Sequence, residues 1–167
     1  MKKSRNLELS LKIFPDEVLR QVCKPVEKFN AELRDLMREM FVLMRVKEGI
    51  GLAAPQVGIT KRLFVCEIEN ESIGLINPDI IHADSQSEMI EGCLSLPDVQ
   101  VNVTRNDQII VVGFDIRGRK MQYELTGLWA RVVQHEMDHL KGVLICDHGE
   151  NVHTEKAQSG KKDTIDF

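Results

Sequence analysis

Residues 108–142 read QIIVVGFDIRGRKMQYELTGLWARVVQHEMDHLKG, and this stretch decides the fold class because it passes from strands into a helix. Two runs rich in β-branched residues flank Arg117-Gly118, which predicts a hairpin of two strands. Beyond this hairpin the apolar spacing changes, and Leu128–Leu140 predicts a helix that ends at Gly142.

A second helix and further strands precede this stretch. Residues 31–47 predict a helix with one buried face, because Asn30 suits the N-cap and apolar residues then recur every three or four positions. Between the two helices, short strand-like runs cover Leu63–Ile68, Ile73–Asn77, Val99–Thr104, Gln108–Ile116 and Met121–Leu125. Strands clustered between two helices predict an α+β fold rather than an alternating α/β fold.

The composition is typical of one globular domain. A chain of 167 residues, 43% of them hydrophobic, can bury a core without disulfide bonds. Its four cysteines include no Cys-x-x-Cys pair, which excludes a zinc ribbon and a thioredoxin motif. The net charge of −4 argues against a surface built to bind phosphates, so we expect no direct binding of nucleic acid.

The two ends of the sequence differ in character. Charged residues interrupt the apolar run that a signal peptide needs, and no apolar stretch is long enough to span a bilayer. We therefore expect a cytoplasmic protein with no membrane partner, and an organellar location stays open if the source has organelles. After Asp147 the composition becomes polar, so we expect one domain over residues 1–147 and a flexible polar tail over residues 148–167.

The helix at 128–140 contains the motif His135-Glu136-Met137-Asp138-His139. Residues four apart share a helix face, so both imidazoles can reach one metal ion. Glu136 lies beside them as a candidate general base for an attacking water molecule. The pattern predicts a metal-dependent hydrolase, although two histidines do not complete a catalytic centre, which usually has three protein ligands.

Cys93 is the best candidate for the third ligand. It lies in EGCLSLP, residues 91–97, where a glycine and a proline constrain an extended backbone. The alternative for any single cysteine is a small buried apolar residue, which we expect of Cys23, Cys66 and Cys146. Ile145 occupies the position at which one metalloprotease pattern has a third histidine. The remaining histidines lie in polar surroundings and are interpreted as surface residues: His82, His148 and His153.

Residues 49–58 read GIGLAAPQVG. The start matches Gly-x-Gly-x-x-Ala, but a dinucleotide-binding segment should follow a strand and begin a helix, whereas this one follows a predicted helix. We expect a loop whose glycines let a substrate backbone pass closely and which presents Gln56 as donor and acceptor.

Together, GIGLAAPQ at 49–56, EGCLSLP at 91–97 and QHEMDHL at 134–140 resemble the three signature segments of peptide deformylase, in the same order and at similar spacing. The resemblance covers about residues 9–147. It implies removal of the N-formyl group from the initiator methionine of nascent polypeptides, with release of formate. It also implies mixed or antiparallel sheets packed around a central metal-binding helix, with an N-terminal helix.

The resemblance further implies a role for each matching residue. The metal ligands would be Cys93, His135 and His139, and Glu136 would be the catalytic acid and base. They would hold one divalent metal ion. Fe(II) is the typical native ion of the family, and Zn, Ni or Co can occupy the same site. A thiolate ligand makes such a site softer than three histidines would, which suits Fe(II).

The resemblance also assigns the substrate contacts. Gln56 and the backbone N–H of Leu94 match the groups that bind the formyl oxygen, and Gly51 matches a group that hydrogen-bonds the substrate backbone. An apolar wall leads to the ligands and is similar to the family's pocket for a methionine side chain: Ile50, Leu128 and Val132. A plain core role for the last two is an equally good interpretation.

The family also implies an ion pair and partners. We expect Arg105 to pair with Glu91 and to fix the cysteine segment. The expected partners are formylmethionyl nascent peptides, together with transient contact to the ribosome. The polar tail lacks the apolar periodicity of the C-terminal helix in many relatives, which argues against ribosome docking through that end.

Two other functions stay open on the sequence alone. A zinc protease acting on internal peptide bonds would use a third histidine or glutamate beyond the helix and would not need Cys93. A structural metal-binding module would fill all four positions with protein ligands and would have no use for Glu136.

Overall fold

The computed structural model describes residues 7–152 and 165–167. Two α-helices are present among these residues, α1 (Ala31–Val46) and α2 (Gly127–Leu140). The strands are β1 (Gly51–Ala53), β2 (Leu63–Ile68), β3 (Glu71–Cys93), β4 (Leu96–Phe114), β5 (Lys120–Thr126) and β6 (Ile165–Asp166). Short 3-10 turns cover Glu17–Arg20, Ala54–Val57 and Ile145–Asp147.

The first helix forms as its sequence predicts. The side chain of Asn30 accepts a hydrogen bond from the N–H of Leu33 at 3.0 Å and so caps the N-terminus. The apolar side chains at helical spacing are buried on one face: Leu33, Leu36, Met37, Met40 and Met44. The predicted helix at 31–47 is confirmed to within one residue.

The strands form one mostly antiparallel sheet. Its order is β1-β2-β3-β4-β5, and β6 adds to β3 in parallel. The turn at Arg117-Gly118 joins β4 to β5, which confirms the predicted hairpin. The strands β3 and β4 are much longer than predicted, because their pairing around residues 79–91 is made by the backbone while many side chains face solvent. Such a stretch lacks the apolar alternation on which strand prediction depends.

The second helix is the centre of the molecule. One buried cluster joins α2 to β1, β2, β3 and β4, and it includes Ala53, Phe64, Leu75, Ile109, Ala130, Val133, Met137 and Leu140. Gly142 ends the helix region with a φ of +72°, a backbone conformation that favours glycine. The predicted α+β class, with a sheet packed around this helix, is confirmed.

The predicted tail at 148–167 differs from the structure in its described parts. Asn151 and Val152 hydrogen-bond the backbone of Gln100 on β4. Ile165 and Asp166 form β6, and Phe167 is fully buried. The composition did not predict this packing, because the few apolar residues of this stretch lie among many polar ones. Residues 153–164 lie outside the described residues, and the domain boundary at 147 stays a prediction.

Within residues 7–152 and 165–167, no helix is long and apolar enough to cross a membrane.

Candidate metal centre

Three predicted ligands from two distant segments meet in one place. His135 and His139 lie one turn apart on α2, and Cys93 lies at the end of β3. Their ligand atoms all lie within 4.8 Å of one another, and Sγ of Cys93 is 3.4 Å from Nε2 of His139. All three side chains are buried. Because the β3–β4 register shifts between Glu91 and Cys93, the strand is distorted just where the cysteine turns towards the helix.

The donor atoms of this group fit a divalent metal ion. Four buried side-chain atoms have no hydrogen-bond partner among the described residues: Nε2 of His135, Nδ1 of His139 and both carboxylate oxygens of Glu136. Buried polar atoms normally have a partner. Nε2 of His135 is unpaired within the described part of the chain, while its other ring nitrogen contacts Glu91. Nε2 of His139 faces Sγ of Cys93, so these two Nε2 atoms are placed for a shared ligand. A thiol and two imidazoles are donors that Fe(II) and Zn both accept.

Glu91 connects the ligands to the sheet. Its carboxylate lies 2.9 Å from Nδ1 of His135 and accepts two hydrogen bonds from Arg105, at 2.7 and 2.9 Å. The predicted pairing of Glu91 with Arg105 is confirmed. A carboxylate on Nδ1 leaves Nε2 of His135 free to bind a metal ion.

A second arginine completes this ion-pair cluster and was not expected from the sequence. Arg131 donates to Glu91 at 2.9 Å and also to the backbone oxygens of Val103 and Ser87. Burial alone would raise the pKa of Glu91, but hydrogen bonds from His135 and Arg105 lower it to about 2. Glu91 is therefore ionised at neutral pH. A signal for Arg131 existed, since it precedes His135 by one helical turn on the buried face of α2.

Glu136 lies against the glycine-rich segment. A Cβ atom built on Gly51 would overlap the Glu136 carboxylate and lie 2.9 Å from Cγ2 of Val132. Only glycine at position 51 leaves room for this carboxylate beside β1. Burial raises the pKa of Glu136 well above its ordinary value, and the carboxylates of Glu91 and Asp138 add to the rise. Such a group is suited to taking up and returning a proton.

Burial also sets the protonation states of the ligands. It raises the pKa of the Cys93 thiol to about 12 and lowers the pKa values of His135 and His139. The imidazoles are thus neutral, which is the form that binds metals. A nearby cation favours the thiolate and reverses the effect on Cys93.

Gln56 belongs to the same site. Residues 49–58 were predicted to be a loop, but β1 and the turn Ala54–Val57 lie within them. Oε1 of Gln56 accepts a hydrogen bond from Ala53 N–H at 2.9 Å. Its Nε2 donates to Oγ of Ser95 at 3.1 Å and lies 3.8 Å from Sγ of Cys93. The amide donor therefore points at the cysteine segment.

The other predicted contact residues lie around these groups. Val132 is fully buried in the central cluster, and Ile50 and Leu128 pack against that cluster half-buried. The N–H of Leu94 donates to the backbone oxygen of Phe167 at 2.9 Å. Phe167 was not anticipated as a neighbour of the site, because a single aromatic residue after a polar stretch gives no periodic signal.

The remaining described histidines are apart from this group. His82 is exposed on β3, and His148 is exposed with Nε2 2.8 Å from a carboxylate oxygen of Asp138. Their interpretation as surface residues is confirmed, while His153 lies outside the described residues. Ile145, at the position of a metalloprotease's third histidine, is buried among apolar residues.

Comparisons with known proteins agree with this geometry. The family model described as polypeptide deformylase matches residues 9–155. A peptide deformylase of Thermotoga maritima is 45% identical over 138 residues, which are 82% of this chain and 84% of that protein. One of Dictyoglomus turgidum is 44% identical over 132 residues, covering 79% of this chain and 86% of that protein.

Solved structures are similar over the same region. The crystal structure of peptide deformylase from Thermotoga maritima has a TM-score of 0.82 at 43% identity and covers 84% of this chain and 96% of that one. A peptide deformylase from Synechococcus elongatus in complex with actinonin has a TM-score of 0.83 at 44% identity, covering 87% of this chain and 80% of that one.

Proposed function

Because the chain belongs to the polypeptide deformylase family and is a metal-dependent hydrolase that removes the N-formyl group from new polypeptides, we propose that Cys93, His135 and His139 hold its metal ion. The observation that carries this assignment is that one thiol and two imidazoles are buried with their ligand atoms within 4.8 Å of one another. The thiol favours Fe(II) as the native ion, and Zn, Ni or Co suit the same donors.

The metal ion and the residues around its proposed ligands have separate roles in amide hydrolysis. A divalent ion held by Cys93, His135 and His139 would act as a Lewis acid that activates water and polarises the formyl carbonyl group. Glu136 takes the proton from the attacking water and returns it to the leaving amine. Its buried carboxylate with a raised pKa supports both roles.

Two donors stabilise the negative charge that develops on the formyl oxygen. The side-chain amide of Gln56 points at the cysteine segment, and the N–H of Leu94 follows Cys93 directly. A donor of this kind is worth roughly 3 to 4 kcal/mol in the transition state.

The substrate backbone binds along β1. This strand is at the end of the sheet order and pairs with β2 alone among the described strands, so its other side is the one on which a peptide strand can add. Gly51 lies there beside Glu136, which places a peptide bound to it close to the catalytic carboxylate.

The methionine side chain occupies the pocket formed by Ile50, Leu128 and Val132. A glutamate in place of Leu128, which is half-buried, is expected to raise KM for formyl-Met-Ala-Ser about tenfold or more, because a charge in an apolar pocket is poorly solvated. Steady-state kinetics with Val42→Glu as control checks this, since Val42 is exposed on α1.

An unchanged KM for Leu128→Glu would mean that this residue is not part of the pocket. Val132 is fully buried, so a charged residue there perturbs folding together with the pocket. We still expect it to raise KM, with a measured loss of stability beside it.

Replacing the thiol ligand distinguishes the proposed metal centre from that of a zinc protease, which would not use Cys93. Cys93→Ala is expected to weaken metal binding by at least about 100-fold, since even indirect contacts to a ligand are worth 10- to 100-fold. Metal content after dialysis measures the effect, and Cys146→Ala is the control because that thiol is only half-buried and outside the ligand group. Full metal content in Cys93→Ala would favour the protease.

The enzyme acts in the cytoplasm on nascent peptides, with transient contact to the ribosome. A reduced cysteine is required as ligand, and a reducing compartment maintains it. Co-sedimentation of the protein with translating ribosomes tests this contact. Recovery of the same amount of protein with idle ribosomes and in fractions without ribosomes would argue against it.

The activity itself is tested on anaerobically purified protein with its metal content measured. Formate should be released from formyl-Met-Ala-Ser and not from the acetylated or the unmodified peptide. A metal-loaded sample that releases no formate would contradict the proposed function.

A further inference from the structure

Residues Ile165–Phe167 lie along the cysteine segment. β6 pairs in parallel with the end of β3. The pairing continues beyond β6, because Phe167 N–H donates to the oxygen of Gly92 at 3.4 Å and Leu94 N–H donates to the oxygen of Phe167 at 2.9 Å. The segment thus uses the backbone hydrogen-bonding groups on both sides of Cys93.

Gly92 makes this close approach possible. A Cβ atom at position 92 would overlap the carboxylate of Asp166 and lie 3.6 Å from its Cα atom. Asp166 also lines a cavity of about 380 Å³ together with Cys93 and Leu94. The segment therefore borders this cavity at the position of the cysteine segment.

The side chain of Phe167 lies beside one of the proposed metal ligands. It is fully buried, and its ring centroid lies 4.8 Å from that of His135. It belongs to the same cluster as Val132, against which Ile50 and Leu128 pack. Because Ile50, Leu128 and Val132 are the residues assigned to the methionine pocket, the ring lies in the same buried cluster as that pocket and directly beside His135.

We propose that residues Ile165–Phe167 are an intramolecular competitor of the substrate, in which Phe167 fills the methionine pocket and its backbone oxygen takes the Leu94 N–H. This inference rests on the proposed function, because it needs the pocket and Leu94 as substrate sites. A substrate must displace the segment before it binds, so its apparent affinity falls by the fraction of molecules in which the cleft is open.

Two variants of the metal-loaded enzyme test this competition: Phe167→Ala and a chain that lacks residues 165–167. KM for formyl-Met-Ala-Ser and the Kd of the product Met-Ala-Ser, measured by calorimetry, should both fall. The fall is about tenfold if the segment fills the cleft nine-tenths of the time. Phe41→Ala on α1 is the control, since Phe41 packs against a different cluster and should leave both constants unchanged.

A peptide added in trans distinguishes competition from packing. The amidated peptide acetyl-Thr-Ile-Asp-Phe should inhibit the truncated enzyme competitively, and acetyl-Thr-Ile-Asp-Ala should not. Unchanged or raised KM and Kd values, with no inhibition by the first peptide, would show that the segment is only a packing element.

Failure of this inference is distinguishable from failure of the proposed function. If truncation prevents folding, Phe167→Ala and its response to the peptide decide between the two outcomes. Absence of formate release from every form contradicts the function, whereas the Kd of Met-Ala-Ser still reports whether the segment occupies the cleft.

Discussion

Replacing Glu136 by glutamine is expected to lower kcat/KM for formyl-Met-Ala-Ser by about 10²- to 10⁴-fold, the usual contribution of a positioned acid or base. Glutamine keeps the shape of the side chain in the space beside Gly51 but cannot take up the proton of the attacking water. Formate release and metal content, measured on the same preparation, check the prediction.

The metal content is the decisive control for this variant. Because the assigned ligands are Cys93, His135 and His139, Glu136→Gln should retain the ion while activity is lost. Glu124→Gln, at an exposed position of β5, should retain both. Retained activity in Glu136→Gln would instead support a structural metal site with no catalytic use of the carboxylate.

Replacing Glu91 by glutamine is expected to destabilise the protein by about 3 to 5 kcal/mol, the usual cost of removing one partner from a buried ion pair. The buried Arg131 loses its carboxylate partner, and the buried Arg105 is left with Asp138, which lies 2.9 Å away. His135 loses its partner as well, so metal affinity should fall 10- to 100-fold. Denaturant titration and metal binding measure the two effects.

The stability of the protein at acid pH depends on the same carboxylate, that of Glu91. Hydrogen bonds from His135 and Arg105 outweigh burial and lower the pKa of Glu91 from 4.5 to about 2. A carboxyl group whose pKa is lower in the folded than in the unfolded protein stabilises the folded state. This stabilisation is fully present above the pKa of the unfolded state and is lost as the pH falls through the pKa of the folded state. Between about pH 4.5 and pH 2 the parent protein should therefore lose stability, and Glu91→Gln should lack this component.

A surface ion pair is the matched control for Glu91. Glu67 accepts from Arg45 at 3.0 Å, with 25% and 55% of the two side chains exposed. Glu67→Gln should cost less than about 1 kcal/mol, because exposed pairs are screened by solvent. A comparable loss from both variants would mean that burial adds nothing to the pair at Glu91.

Local patterns in the sequence predicted the parts of the fold that have one apolar face. Both helices and β2 agree closely with their predicted ranges, since their buried and exposed sides are separated at the expected period. The middle of β3 was missed because its exposed side chains show no such period. Its position follows from the backbone pairing with β4, which no local pattern reveals.

In the candidate site, too, the residues with a local sequence pattern were predicted and those that depend on long-range contacts were not. The motif on α2 is local, so His135 and His139 were predicted with their shared face. Cys93 was selected from four cysteines by the unusual residues around it and by the family resemblance. Arg131 and Phe167 were missed, because their contacts join positions far apart in the sequence. Such contacts depend on the tertiary fold rather than on spacing.

Because the three proposed ligands come from a strand and a helix, metal binding is coupled to folding. The unfolded chain keeps His135 and His139 near each other but not Cys93, so the complete ligand set exists in the native state. A metal ion that binds this state preferentially stabilises it by mass action, by about 1.4 kcal/mol for each tenfold rise in free ion above its Kd. The thermal midpoint of this protein is therefore a measure of metal supply as well as of its sequence.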